Sequence, residues 1–290
     1  MSDLSLYAVT VLIWGSTWFA IKMQLGVVSP AVSVTWRFLA AALILLGFAL
    51  ARGLPLRFSA RDHLWMALQG LLLFCLNYVG FYVAEQTLPS GLAAVICSML
   101  TIGNIVGMRL FFDVHTHATN LLGAVVGIAG VALLFWPDLR SLSATNATLM
   151  GVLWGLGATV SATLGNMVAT RNQRRHLPIL QVNGWAMLYG ALITAAAAAT
   201  MGETFTFDRS WRYVSSLVYL AVFGSIVAFG AYLTLMKRIG AHRAGYTMVA
   251  IPVIALLIST WLEDLRWTAN LWVGVALCLI GNVLVLGRRA

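Results

Sequence analysis

Charge is what this chain has least of. Aspartate, glutamate, lysine and arginine make up 9% of its 290 residues, where a soluble domain carries about a quarter. That scarcity excludes a water-soluble globular protein. All nine acidic residues fall outside the long apolar runs or at their ends. The three cysteines, Cys75, Cys97 and Cys278, each sit inside an apolar run at no metal-ligand spacing. They read as small core or lipid-facing residues, with neither a disulfide framework nor a metal site expected. No G-x-x-x-x-G-K-[S/T] loop occurs, nor any H-E-x-x-H, nor a pair of carboxylates within an apolar run. Those gaps argue against nucleotide hydrolysis by a phosphate-cradling loop, zinc proteolysis and aspartyl proteolysis. His115-x-His117 and the Asn146-Ala147-Thr148 sequon are weak matches of a kind common by chance. The start, Met1-Ser2-Asp3-Leu4, lacks the basic n-region of a cleaved signal, so the first apolar run is expected to remain as a helix.

What the chain has instead is hydrocarbon: 61% apolar residues and a mean hydropathy of +0.89. Charge-free windows run 4–21, 64–84, 86–108, 118–137, 141–170, 177–202, 213–236, 244–262 and 267–287, and a tenth, 23–51, is interrupted by Arg37 alone. Each suffices for a bilayer-crossing helix of about 20 residues. The expected fold is therefore an all-α polytopic membrane protein with ten transmembrane helices. The net charge of +9 would suit an anionic partner, but its placement follows membrane topology and points away from nucleic acid. With the N-terminus inside, inner segments carry twelve lysines and arginines and outer ones five. This is the positive-inside bias, and it predicts both termini in the cytoplasm of a bacterial-type inner membrane.

The chain also repeats itself. Trp14-Gly15 has a counterpart in Trp154-Gly155, and Gly80-Phe81-Tyr82 in Gly230-Ala231-Tyr232. Asp113, Gly123 and Gly130 match Asp264, Gly274 and Gly281 with identical spacings. Matches in the same order predict two five-helix halves, 1–140 and 141–290. Five is odd, so the second half enters the bilayer from the opposite side. Such inverted repeats build transporters with a midplane site.

These positions resemble the drug/metabolite transporter superfamily, and within it the ten-helix exporters of the EamA type. The resemblance rests on Trp14-Gly15, Pro30 to Arg37, Tyr232, Gly240-Ala241, Pro252-Val253, Glu263 and Gly274 to Gly281, and it extends over nearly the whole chain. It is nearest to the amino-acid exporters, including the aromatic amino-acid exporters called YddG. It implies export of small metabolites through a cavity lined by helices 1–4 and 6–9, with helices 5 and 10 peripheral. The chain departs from the family pattern at helix 4, where Ser98-Met99-Leu100 replaces a proline and Asp113 stands for a glutamate.

The candidate substrate contacts are Trp14, Thr17, Arg37, Asn77, Tyr78, Tyr82, Ser98, Met99, Trp154, Trp185 and Tyr246, with Glu85 and Pro252 as gating residues. Phe74, Tyr78, Phe81, Tyr82 and Glu85 recur at spacings of three and four, so they share one helix face. Each candidate carries a plainer reading beside the functional one. Arg37 is costly in hydrocarbon and either meets a substrate carboxylate, pairs with Glu85, or snorkels to the outer interface. Tyr78, Tyr82, Trp154 and Trp185 serve either as cavity walls for an amphipathic solute or as packing. Ser98, Met99 and Thr101 offer hydroxyl and thioether contacts or fill core. Pro252 removes a helical hydrogen bond, for gating or for cavity shape. Gly123-x-x-x-Gly127 allows close helix approach within the chain or in a weak homodimer.

The combined expectation is a secondary transporter that exports small amphipathic metabolites, chiefly amino acids, by alternating access. It needs no cofactor, and its partners are its solute and the bilayer. The placement of the acids points to facilitated or weakly coupled export, with Glu85 the nearest titratable group. An intramembrane enzyme acting on a lipid or isoprenoid is the alternative class.

Overall fold

The computed structural model describes residues 1–114, 117–136, 147–239 and 246–286. His115, Asn146 of the sequon, most of the 138–148 polar run and Gly240-Ala241 lie outside the described residues, as does the side chain of Tyr246.

Ten helical spans stand among the described residues: α1 Asp3–Gln24, α2 Pro30–Ala51, α3 Ala60–Ala84, α4 Ser90–Phe112, α5 Ala118–Leu134, α6 Ala147–Arg174, α7 Ile179–Thr200, α8 from Trp211–Val218 through Ala228–Ile239, α9 Tyr246–Leu262 and α10 Ala269–Leu286. Seven are long and apolar enough to cross a membrane, and the described parts of α5, α9 and α10 are shorter and equally apolar. This is a polytopic membrane protein. Serines mark where helices begin: Ser2, Ser29, Ser59 and Ser210 each accept from the backbone N–H three residues on. Pro30 takes the first position of α2, where its missing N–H costs nothing.

Two spans are not uniform α-helix. Gly70–Leu76 of α3 and Tyr219–Val227 of α8 are π-helical, at positions five helices apart in chain order. α4 breaks at Met99 between Ser90–Ser98 and Leu100–Phe112, although no proline stands there. The Ser98 hydroxyl donates to Val95 O at 2.7 Å, competing with the helical ladder where the family's proline would interrupt it.

The packing is symmetric in kind. α1 packs on α8 and α9, and α6 on α3 and α4; α2 pairs with α7, α4 with α9, and α5 with α10. Exchanging each helix for the one five places along the chain maps this set onto itself. Asp113 and Asp264, at the ends of α4 and α9, both take the left-handed conformation at φ 54°, which a short polar side chain tolerates. Around α4 the symmetry fails. Its Ser90–Ser98 half packs on α1 as well as on α9 and α6, and among the described residues no comparable contact joins α9 to α6, whereas its Leu100–Phe112 half keeps α6 alone of these three.

α5 and α10 form the closest pair, and glycine explains it. A Cβ on Gly281 would lie 2.6 Å from Gly127 N and 2.7 Å from Gly123 O, and one on Gly130 2.7 Å from Cys278 N. The Gly123-x-x-x-Gly127 motif is thus used within the chain. Gly281→Ala should lower the melting temperature of the detergent-purified protein by the equivalent of about 1–3 kcal/mol, since the obstruction is backbone. Gly47→Ala, at a position with open space, should leave it unchanged. Equal melting temperatures would refute this packing account.

Candidate functional site

In a bilayer every backbone carbonyl needs a donor from the protein, and a π-helical turn frees carbonyls from the regular ladder. Side chains answer at both irregular segments. In α3, Leu72 O accepts from Ser161 Oγ of α6 at 2.7 Å and Leu73 O from Asn77 Nδ2 at 3.2 Å. In α8, Leu220 O accepts from Ser225 Oγ at 2.9 Å and Gly224 O from Trp14 Nε1 of α1 at 3.0 Å. Trp14 and Asn77, predicted as substrate contacts, are thereby tied to backbone. The Trp14 ring also packs edge-on to Phe229 and tilted on Tyr232, at 5.0 and 5.3 Å. Thr17, one turn on, donates to Trp14 O.

Arg37 is 2% exposed. Its Nε reaches Ser225 Oγ at 3.4 Å, its guanidinium lies 4.6 Å from the Tyr78 ring centroid, and Nη1 has no partner. Snorkelling to the interface is therefore not its role. The structure brings Arg37, Tyr78, Tyr82, Trp14 and Thr17 together where α1, α2, α3 and α8 converge. Ser98 points elsewhere, receiving Asn282 Nδ2 of α10 at 3.0 Å, with Met99 beside it at the α4 break. Trp154 is half-exposed on α6. Trp185 belongs to an aromatic group at the far end: it stacks on Tyr189, meets His63 edge-on, and donates to Leu56 O of the α2–α3 loop. Pro252 sits inside α9 where α1 crosses closely, a Cβ on Gly15 lying 2.6 Å from Ile254 Cβ.

The 85–90 turn between α3 and α4 is clamped on two sides. Lys22 Nζ of α1 donates to Glu85 O at 2.5 Å and Leu88 O at 3.0 Å, placing a cation on the carbonyl end of α3. Glu263, just past α9, accepts from Ser90 N and Ser90 Oγ at 2.9 Å each and from Ser259 Oγ at 2.5 Å, placing an anion on the amide end of α4. Beneath the turn, Tyr82 OH donates to Gln24 Oε1 at 2.6 Å. Outside it lies a depression of about 750 Å³ lined by Lys22, Ser29, Glu85, Gln86, Glu203 and Arg212. At the opposite end, Asn172 donates to Gln69 Oε1, Gln69 to Asn183 Oδ1, and Arg171 to Asn172 Oδ1, all within 3.1 Å, joining α3, α6 and α7.

Comparison with known proteins now decides the family. The model of the EamA-like transporter family matches twice, over residues 2–136 and 149–287. The chain belongs to the EamA-like transporter family. It is 31% identical over 280 residues to the uncharacterized inner membrane transporter YedA of Escherichia coli K12, covering 94% of this chain and 87% of that one. A probable amino-acid metabolite efflux pump of the same organism is 25% identical, with 93% and 90% covered. The uncharacterized transporter YoaV of Bacillus subtilis is 25% identical, with 96% and 95% covered. A solved crystal structure shares the fold at a TM-score of 0.68 and 17% identity, over 98% of this chain and 96% of that one. EamA-like proteins are transporters, so transport of a small solute across a membrane is the activity this fold serves.

Sequence reasoning missed Gln24, Gln69, Asn172 and Asn183. Each is an amide at or near the end of an otherwise apolar run, which was the available signal. Glu263→Ala should leave the Ser90 amide without its acceptor and raise hydrogen exchange over 88–94 by roughly one to two orders of magnitude, the kinetic equivalent of about 1–3 kcal/mol. Unchanged protection there would show that the clamp contributes nothing.

Proposed function

We propose that this EamA-like transporter exports small amphipathic metabolites, chiefly amino acids including aromatic and other apolar ones, by alternating access between two inverted five-helix halves, 1–140 and 141–290. The observation that carries the reading is the one-sided packing of α4. Its Ser90–Ser98 half packs on α1 and α9 as well as on α6, with Lys22 holding the turn before it and Glu263 holding Ser90, while its Leu100–Phe112 half keeps α6 without α1 or α9. In a protein whose main helix pairings follow the repeat, a contact made at one end of α4 and not at the other is what one state of a rocking carrier looks like. The Glu85 end is the closed one.

The Arg171 end also carries Arg52, Arg57, Arg61, Arg109, Arg174, Arg175 and Arg238, which supports placing it and both termini in the cytoplasm of a bacterial-type inner membrane. The closed Glu85 end then faces outward, as an exporter awaiting solute from within requires. Tyr78, Tyr82, Trp14 and Thr17 would present apolar faces and hydroxyls, and the spare Nη1 of Arg37 would attract a carboxylate. The name of the amino-acid efflux relative favours this solute class. Transport proceeds down the solute's own gradient or with weak coupling, without a cofactor. No cluster of catalytic acids, histidines or lysines was found in the sequence at a membrane edge to favour a lipid-modifying enzyme.

In proteoliposomes, wild-type protein should move labelled phenylalanine. Tyr78→Ala and Tyr82→Ala should each reduce that flux at least tenfold while remaining monodisperse. Wild-type flux in both would remove these side chains from the path.

A further inference from the structure

Of the nine buried side-chain atoms without a hydrogen-bond partner among the described residues, five cluster at one place: Gln24 Nε2, Arg37 Nη1, Glu263 Oε1 and both carboxyl oxygens of Glu85. A half-satisfied buried network is costly, and its persistence at one locus marks a place where something is exchanged. Glu85 and Glu263 stand side by side there as opposites. Glu263 accepts three hydrogen bonds on one carboxyl oxygen at the start of α4. Glu85 is 0% exposed, accepts none, and takes part in none of the ion pairs found among the described residues. The cation nearest to it in sequence terms of the clamp, Lys22, spends its ammonium on the Glu85 and Leu88 carbonyls.

We propose that Glu85 is a proton-binding site that operates the outer gate: closure traps the protonated carboxyl in the protein, and opening releases its proton to the outside. The proposal rests on the transporter reading above and gives it a ligand, the proton, at a named group. An ionised carboxylate with no donor would cost several kcal/mol in this setting, so the closed form holds it neutral. The groups facing it are Lys22 of α1, Arg37 of α2, Tyr82 of α3 and Glu263 past α9, with Tyr213 of α8 beyond Tyr82 and Glu203 and Arg212 lining the depression outside. The first turn of α4 and the described α6 from Ala147 to Thr170 bring no titratable group. Glu85 lies one residue beyond the span Ala60–Ala84. Burial pushes its carboxyl well above the usual carboxylate range, Glu263 adds to the rise, and Lys22 and Arg37 oppose it.

The contacts that hold the turn, Lys22 to Glu85 and Leu88 and Glu263 to Ser90, all cross from α1 and α9 to the α3–α4 hairpin. Parting those elements would wet Glu85 and return it to an ordinary value of about 4.3. The closed state therefore binds one more proton than the open state between that value and the raised one. Within this window each unit of rising external pH shifts the balance toward open by up to tenfold, and below about 4.3 the dependence vanishes. Because the proton enters and leaves on the same side, the gate responds to pH without a net proton flux.

The test is a distance measurement that needs no solute. Spin labels at Gln86 and Leu262, on exposed positions either side of the clamp and in a chain whose three cysteines are alanine, would be read by electron–electron resonance in lipid nanodiscs across a pH series. A longer-distance population that grows with pH in the wild-type background, stays minor at every pH in Glu85→Gln and regains its pH dependence in Glu85→Asp is the expected result. A distribution that does not respond to pH, or that responds equally in Glu85→Gln, overturns the proposal. Phenylalanine flux measured on the same proteins separates the two readings: absent flux with a pH-dependent distance would count against the solute, and flux with a pH-independent distance against the Glu85 gate.

Discussion

Every helix here is bound by one constraint: in hydrocarbon, a backbone carbonyl released from its ladder must find a donor within the protein. α3 and α8 release carbonyls through π-helical segments at equivalent places, and Ser161, Asn77, Ser225 and Trp14 supply the donors. Two of those four come from another helix. Ser161 of α6 binds α3, and Trp14 of α1 binds α8, so each irregular helix is stitched to the first helix of the other half. Among the described residues Trp14 alone of the repeated Trp-Gly pair makes such a bond, Ser161 taking that part on α6, and both bonds place the irregular backbone beside the central helices α1 and α6.

The same bookkeeping explains the two ends. At the Arg171 end the amides of Gln69, Asn172 and Asn183 join three helices with their bonds made. At the Glu85 end the clamp residues are satisfied on the turn's backbone, while Arg37 and Glu85 beneath it are left short of partners. A network of that kind has two ways to be completed, by a bound solute or by a change of conformation, and a carrier uses both. Arg37 and Glu85 sit on opposite sides of Tyr82 in function: one has charge to offer a solute, the other gives up its charge so that the end can shut.

How much of this was legible beforehand follows from the physics of each feature. Ten spans were readable because charge is excluded from hydrocarbon, and the family because Trp14-Gly15, Pro30 to Arg37 and the glycines from Gly274 to Gly281 carry its resemblance. The use of Gly123 and Gly127 within the chain needed the neighbouring α10 to be seen. The π-helical segments were invisible, since Gly70–Leu76 and Tyr219–Val227 are as apolar as any α-helix and differ only in which carbonyl each N–H meets. Glu85 was conspicuous as a charge at a span edge and Arg37 as the one charge inside a span, yet the unpaired Glu85 carboxyl and Arg37 Nη1 are properties of packing. Trp185 shows the opposite error: its spacing suggested a central wall, but its indole is spent on Leu56 O in a loop at the Arg171 end.

The central claim is that one end closes as the other opens. It is tested most directly by labelling both ends of the same protein, with Gln86 and Leu262 reporting one and the exposed Leu4 and Phe111, on α1 and α4, reporting the other. The account predicts that conditions lengthening the first distance shorten the second. Ends that open together, as in a channel, or a Leu4–Phe111 distance that never moves, would contradict it.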